Sequence, residues 1–117
     1  MSDQSYWVYI LHCKNNTYYT GYTNDLAKRY QSHLDGTGKC KYTRSFKPLS
    51  IAQCWQINGD KSLAMKIECD IKKLSRAQKT KIILQPDTLS TDAHIKAMPE
   101  KERLRLCGHQ LKLLEKI

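Results

Sequence analysis

No apolar run in this chain approaches the ~20 residues that a bilayer-spanning helix needs, so no membrane span is expected. The first apolar stretch, Trp7 to Leu11, is short, follows Asp3 and lacks a basic flank, which argues against a secretory leader. Cys13, Cys40, Cys54, Cys69 and Cys107 are odd in number and contain no Cys-x-x-Cys pair, so neither a disulfide framework nor a redox motif is suggested. They read mostly as small buried hydrophobes, with a metal or redox role as the other reading, and a reducing, cytoplasmic setting is the simplest assignment. No internal repeat and no low-complexity segment is visible. At 117 residues the chain fits one domain with one core.

Acids are the other shortage. Eleven Asp and Glu face 20 Lys and Arg, for a formal charge of +9. The excess sits in two blocks: residues 25–47 carry +4 and residues 61–81 carry +5, while the rest nearly cancels. Two basic blocks in one small domain suit a polyanion, nucleic acid first among them. A solvated lysine-rich surface is the bland alternative.

Residues 6–13 alternate Trp7, Tyr9, Leu11 and Cys13 against Val8, Ile10 and His12, which predicts a central strand with apolar groups on both faces. Asn15-Asn16 signals a hairpin, and residues 17–22 return as a second strand ending near Gly21. Thr23, Asn24 and Asp25 offer three N-caps for a helix striped with Leu26, Tyr30, His33 and Leu34. A Gly-rich basic loop, 35–48, leads to a third strand in which Leu49, Ile51, Trp55 and Ile57 alternate and Gln53 breaks the pattern. A second helix is expected over 61–74, with Glu68 roughly 105° from the centre of its apolar stripe. Ser75 and Gln78 form a capping-box pattern for a helix from Arg76 that ends before Pro86. Residues 85–98 read as a connector, and Pro99 opens a final amphipathic helix with Leu104, Cys107, Leu111 and Leu114. The order predicts an α+β fold: a small three-stranded antiparallel sheet flanked by helices, with an extra C-terminal helix.

Tyr9, Tyr19, Arg29, His33 and Glu68 are the side chains whose chemistry a plain core does not require. Phosphodiester hydrolysis needs an activated water, neutralisation of developing charge and help for the leaving oxygen. A glutamate can hold one Mg²⁺, an arginine fork pairs with phosphate oxygens, and a tyrosine near cations can serve as base. Each also has an ordinary reading: packing for the tyrosines, a solvated residue for Arg29, a satisfied core group for His33 and an ion-pair partner for Glu68.

Taken in order, these residues resemble a known family. Val8-Tyr9, Tyr19-Thr20-Gly21, and Thr23-Asn24-Asp25-Leu26 with Arg29 and His33 are similar to the GIY-YIG nuclease signature. The stretch from Ser62 to Glu68 and the segment Ile71 to Arg76 extend it, covering roughly residues 6–84. The closest likeness is to the small stand-alone bacterial members, which share a Lys-Tyr-Thr-Arg stretch like Lys41 to Arg44 and a proline like Pro48. The resemblance implies a divalent-metal-dependent endonuclease domain over residues 1–84, using Mg²⁺ or Mn²⁺ on DNA or RNA in repair or processing. Tyr9 would be the general base and Tyr19 its neighbour positioning water or phosphate. Arg29 would contact the scissile phosphate, His33 would assist, and Glu68 would be the sole protein ligand of the metal. Lys39, Lys41, Arg44 and Lys72 are candidates for backbone contacts, from charge and placement.

Trp7 stands where the signature has glycine, Thr20 replaces its isoleucine, and no Asn follows Asn58. The alternative is therefore a binding module or adaptor of the same fold, holding structured nucleic acid without cutting it. Residues 85–117 lie outside the resemblance; the helix expected over 99–117 would pack on the same domain, dock a protein partner or pair with a second copy.

The reading carries a register condition. A two-residue Asn15-Asn16 turn would align Tyr9 with Tyr22 and put Tyr19 on the opposite sheet face. A three-residue loop, Lys14-Asn15-Asn16, would pair Leu11 with Tyr19 and Tyr9 with Gly21, bringing both tyrosines to one face.

Overall fold

A computed structural model of the chain describes residues 5–36, 43, 45–89 and 94–106. Strand β1 (Ser5–Cys13) lies inside the sheet, as its two-sided apolar pattern requires, with Val8, Tyr9, Ile10 and Leu11 all buried. It pairs antiparallel with β2 (Tyr18–Thr23) on one side and with β3 (Pro48–Asn58) on the other.

The hairpin settles the register. Cys13 N donates to Thr17 O at 2.9 Å, and Asn16 N donates to Cys13 O at 2.9 Å. Asn16 takes a left-handed φ of 60°, which Asn tolerates better than most residues. The loop is therefore Lys14-Asn15-Asn16, a three-residue connection with its last residue left-handed. Leu11 faces Tyr19 and Tyr9 faces Gly21.

The expected three-stranded sheet is corrected to four strands, in the order β2-β1-β3-β4. Part of the presumed connector 85–98 forms β4 (Ile95–Ala97), which pairs Trp55 with Ala97 and Ile57 with Ile95. Three residues are too few for a periodic signal, and the outward Lys96 blunts the new sheet edge.

Strand β3 changes sides midway. Its pairing with β1 skips from Gln53 to Ile51, an irregularity that leaves Ala52 as an extra residue. Ile51 consequently packs with Tyr9, Leu11 and Cys13 on one face, whereas Trp55 and Ile57 join Val8 and Ile10 on the other. Gln53 has a task at this break: its Nε2 donates to Ile83 O at 2.9 Å, and its Oε1 accepts from Cys54 N at 3.2 Å.

Helices cover both faces of the sheet. Helix α1 (Leu26–Asp35) starts at Asp25, the cap chosen from the three candidates, whose carboxylate accepts from Lys28 N. It ends at Gly36, whose φ of 70° is the left-handed stop that glycine adopts without a Cβ penalty. Leu26, Tyr30 and His33 turn inward against Tyr9, Leu11, Ile51 and Cys54. Helix α2 (Lys61–Lys72), capped by Asp60, stops two residues short of the expected end and lays Ala64, Ile67 and Ile71 on Val8, Ile10, Trp55 and Ile57.

Ser75 and Gln78 close the capping box at α3 (Arg76–Leu84). A 3₁₀ turn, Pro86–Thr88, follows, and Pro86 O accepts from Trp55 Nε1 at 3.0 Å. The last described helix is α4 (Glu100–Leu106); residues 107–117, with most of the expected apolar stripe, lie outside the described residues. Cys13 and Cys54 are buried as expected, and burial pushes the Cys13 thiol up to about 11, whereas Cys69 is exposed. Among the described residues no helix is long and apolar enough to cross a membrane.

Candidate active site

The site forms where the edge strand β2 carries no side chain. Gly21 faces Tyr9 across the ladder, and a Cβ at Gly21 would lie 2.6 Å from the Tyr9 hydroxyl oxygen. The φ of Gly21 is not left-handed, so this glycine is required for close approach rather than for backbone freedom. The phenol of Tyr9 occupies the notch and forms the floor of the site, with 1 % of the residue exposed.

Tyr19 sits two residues before Gly21, on the same face. His33, from the inward stripe of α1, stands between the two tyrosines, with ring centroids 5.7 Å from Tyr9 and 5.3 Å from Tyr19, both edge-on. Its Nε2 is 2.8 Å from Tyr9 Oη and its Nδ1 is 2.7 Å from Thr43 Oγ1. Burial, and then the charge of Arg29, lower its pKa to about 4. The ring is therefore neutral near pH 7 and carries one N–H, so one of the two contacts uses it as donor and the other as acceptor.

A pocket of about 410 Å³ opens from this floor and wraps around β2. From the α1 side it is lined by Tyr9, Tyr19, Gly21, Thr23, Asn24 and Arg29. From the α2 side come Tyr6, Tyr22, Lys61 and Glu68. Four of the five expected catalytic residues thus meet in one pocket, although Glu68 arrives on a different layer of the fold. His33 is the exception: it is fully buried behind Tyr9 and reaches the pocket through that phenol.

Glu68 is the one carboxylate among the described residues that line this pocket. Its side chain is 18 % exposed, and Lys72 Nζ approaches one oxygen at 3.6 Å from the next turn. Among the described residues no cluster of three or more His, Cys, Asp or Glu exists, so a closed site of the structural-zinc kind is not built here. A lone carboxylate in an open pocket fits Mg²⁺ or Mn²⁺, hard ions that complete their shells with water and phosphate oxygens.

Lys72 points its charge at Glu68 and does not line the pocket. Lys39, Lys41 and Arg44 lie outside the described residues. Sequence reasoning missed Lys61, the first residue of α2, because no periodicity marks an exposed lysine beside a cap. It also missed Tyr6 and Tyr22, whose alternation with Tyr9 and Gly21 reads as ordinary strand patterning.

The family model for the GIY-YIG catalytic domain matches residues 5–81, from the first residue of β1 into α3. A UPF0213 protein of Cupriavidus necator is 44% identical over 79 residues, which cover 67% of this chain and 83% of that one. A UPF0213 protein of Bacillus velezensis is 35% identical over 100 residues, 86% of this chain and 99% of that one. The solution NMR structure of a UPF0213 protein from Bacillus halodurans aligns at 35% identity over 74% of this chain and 94% of that one, with a TM-score of 0.42. Every pocket residue falls inside the matched span, and the chain belongs to the GIY-YIG catalytic domain family.

Proposed function

We propose that the protein is a divalent-metal-dependent endonuclease that hydrolyses phosphodiester bonds in DNA or RNA. The observation that carries this reading is the convergence of Tyr9, Tyr19, Arg29 and Glu68 on one pocket. They supply a phenol, a phosphate-pairing fork and a carboxylate, the minimum set for activating water beside a phosphate.

In this mechanism the scissile phosphate sits over Gly21. Arg29 pairs with its non-bridging oxygens from the α1 side, and Lys61 adds positive charge from the α2 side. Tyr9, once its own phenolic proton has passed to water in the pocket, takes the proton of the attacking water as a phenolate, and Tyr19 holds that water or a phosphate oxygen in line. His33 acts on Tyr9. A ring whose pKa is held to about 4 is a poor acceptor for a phenol proton, so its work is to fix the hydroxyl's direction. Glu68 would hold Mg²⁺ or Mn²⁺, which when bound supplies charge neutralisation at the phosphoryl oxygens.

Lys39, Lys41, Arg44 and Lys72 belong to this reading as backbone contacts along the two basic blocks, and a repair or processing role in the cytoplasm agrees with it. A protein partner or self-association through the segment 99–117 belongs to the same reading.

The test is a panel of branched, flapped and single-stranded DNA and RNA, incubated with and without Mg²⁺ or Mn²⁺. Metal-dependent cleavage that is lost in Tyr9→Phe and Glu68→Ala is the expected result. Cleavage surviving either change would mean the chemistry happens elsewhere. Tight, salt-sensitive binding with no cut in any metal would select the non-catalytic binding module instead.

A further inference from the structure

Trp7 lies two residues before Tyr9 on β1 and faces the same way, about 7 Å along the strand. The other tryptophan, Trp55, is fully buried with its indole N–H bound to Pro86 O. Trp7 is different: it is only partly buried, and no described residue accepts from its indole N–H. It lines two open grooves, one of about 430 Å³ with Leu26, Ala27 and Asn24 and one of about 230 Å³ with Gln56, and Met98 belongs to both. Asn24 also lines the catalytic pocket, so pocket and groove adjoin at this residue.

We infer that this groove is a nucleobase site: Trp7, backed by Met98, stacks the base of the nucleotide whose phosphate enters the pocket. The inference rests on the phosphodiesterase reading above. Three features carry it. The larger groove is walled by an indole, Leu26, Ala27 and Met98, which suits the face of a base and repels a phosphate. Its one charged wall, Asp25, is already engaged as the cap of α1, accepting from Lys28 N. Asn24, at the junction, brings an amide donor and acceptor of the kind that meets a base edge.

The substrate class follows. Inside a duplex both faces of a base are covered by its neighbours, so an indole can reach one only after it unstacks. The protein therefore takes nucleic acid with an unpaired nucleotide at the cut: a flap, a loop or a single strand.

The experiment is equilibrium binding in EDTA of a fluorescein-labelled single-stranded DNA 12-mer, the same strand in blunt duplex, and a single strand carrying one run of abasic positions. The proteins are the wild type, Trp7→Phe and Trp7→Ala, with circular dichroism to certify folding. Trp7→Ala is expected to weaken single-strand binding between about fivefold and about a hundredfold. Trp7→Phe, which keeps an aromatic face, is expected to lose less, and duplex and abasic binding should barely change. In the wild type, tryptophan emission should be quenched by the normal strand more than by the abasic one. Equal single-strand affinity in all three proteins overturns the inference, as does a Trp7→Ala effect confined to thermal stability or to oligomeric mass. Because EDTA prevents cleavage, a blank nuclease panel would remove the catalytic reading while leaving a Trp7-dependent affinity in place.

Discussion

The hydroxyl oxygen of Tyr9 lies 2.8 Å from Nε2 of His33, and both residues are almost wholly buried. That contact joins the centre of the sheet to helix α1, and it places a titratable ring directly behind the floor of the site.

A pH dependence of stability follows. The His33 pKa falls from an ordinary 6.5 to about 4 on folding. Between those values the unfolded chain binds a proton that the folded chain refuses, so stability rises with pH. The contribution is complete above pH 6.5 and is lost as pH falls toward 4, to a total of roughly 3 kcal/mol. Urea unfolding from pH 4 to 7 should show this slope, and His33→Gln should flatten it. An unchanged slope in the variant would assign the effect to other groups.

Gly21→Ala tests the notch. The new methyl would sit 2.6 Å from Tyr9 Oη and 2.8 Å from Cζ, so the ring has to move and its contact with His33 has to lengthen. Overpacking of this kind costs about 1–3 kcal/mol. Cleavage should fall more than Tm does, because the phenol is displaced from the pocket floor. A variant with wild-type melting and turnover would show that Tyr9 has room to spare.

Glu68 and Lys72 form an ion pair at 3.6 Å, but their replacement should have unlike consequences. Lys72 is about half exposed, so Lys72→Ala should change stability by less than about 0.5 kcal/mol and leave metal dependence intact. Glu68→Gln keeps the shape and removes the charge that would hold the cation. It should cut turnover by at least about a hundredfold and abolish any heat of Mg²⁺ binding in calorimetry. Equal Mg²⁺ affinity in wild type and Glu68→Gln would place the cation on other ligands.

Thr20 offers a stabilising change. Its hydroxyl is buried without a hydrogen-bond partner among the described residues, on the sheet face that packs against α2. Thr20→Val keeps the branched shape and removes the unsatisfied oxygen, for a gain of about 1 kcal/mol. Thermal melting should rise by about 4 °C or more, with turnover unchanged because Thr20 does not line the pocket. A lower Tm would show that the hydroxyl is satisfied in solution.

The sequence disclosed the elements better than their sidedness. Asp25 as one of three candidate caps, Ser75 with Gln78, and the two-faced β1 pattern are local signals, and the starts of α1 and α3 and the central strand are legible from them. The odd-numbered hairpin could be stated only as a condition, because Asn15-Asn16 permits either loop length. The choice is made by Cys13 bonding across to Thr17 and by the left-handed Asn16. The switch of β3 between Ile51 and Trp55 was hidden, since a strand pattern presumes an unbroken alternation that an extra residue defeats. Likewise, nothing in the stripe of α2 showed that Lys61 and Glu68 would meet Arg29, because that meeting depends on how two layers wrap one short edge strand.

The order of the site residues along the chain also bears on its synthesis. Tyr9, Tyr19, Arg29 and His33 leave the ribosome early, whereas Glu68 waits for β3 and most of α2, some 35 residues and on the order of seconds later. Until then the nascent β1 lacks its second partner and the growing pocket lacks its carboxylate. Prematurely terminated products ending before α2 would carry the tyrosines and the arginine without the pocket's carboxylate, and on the function proposed above they would not cut.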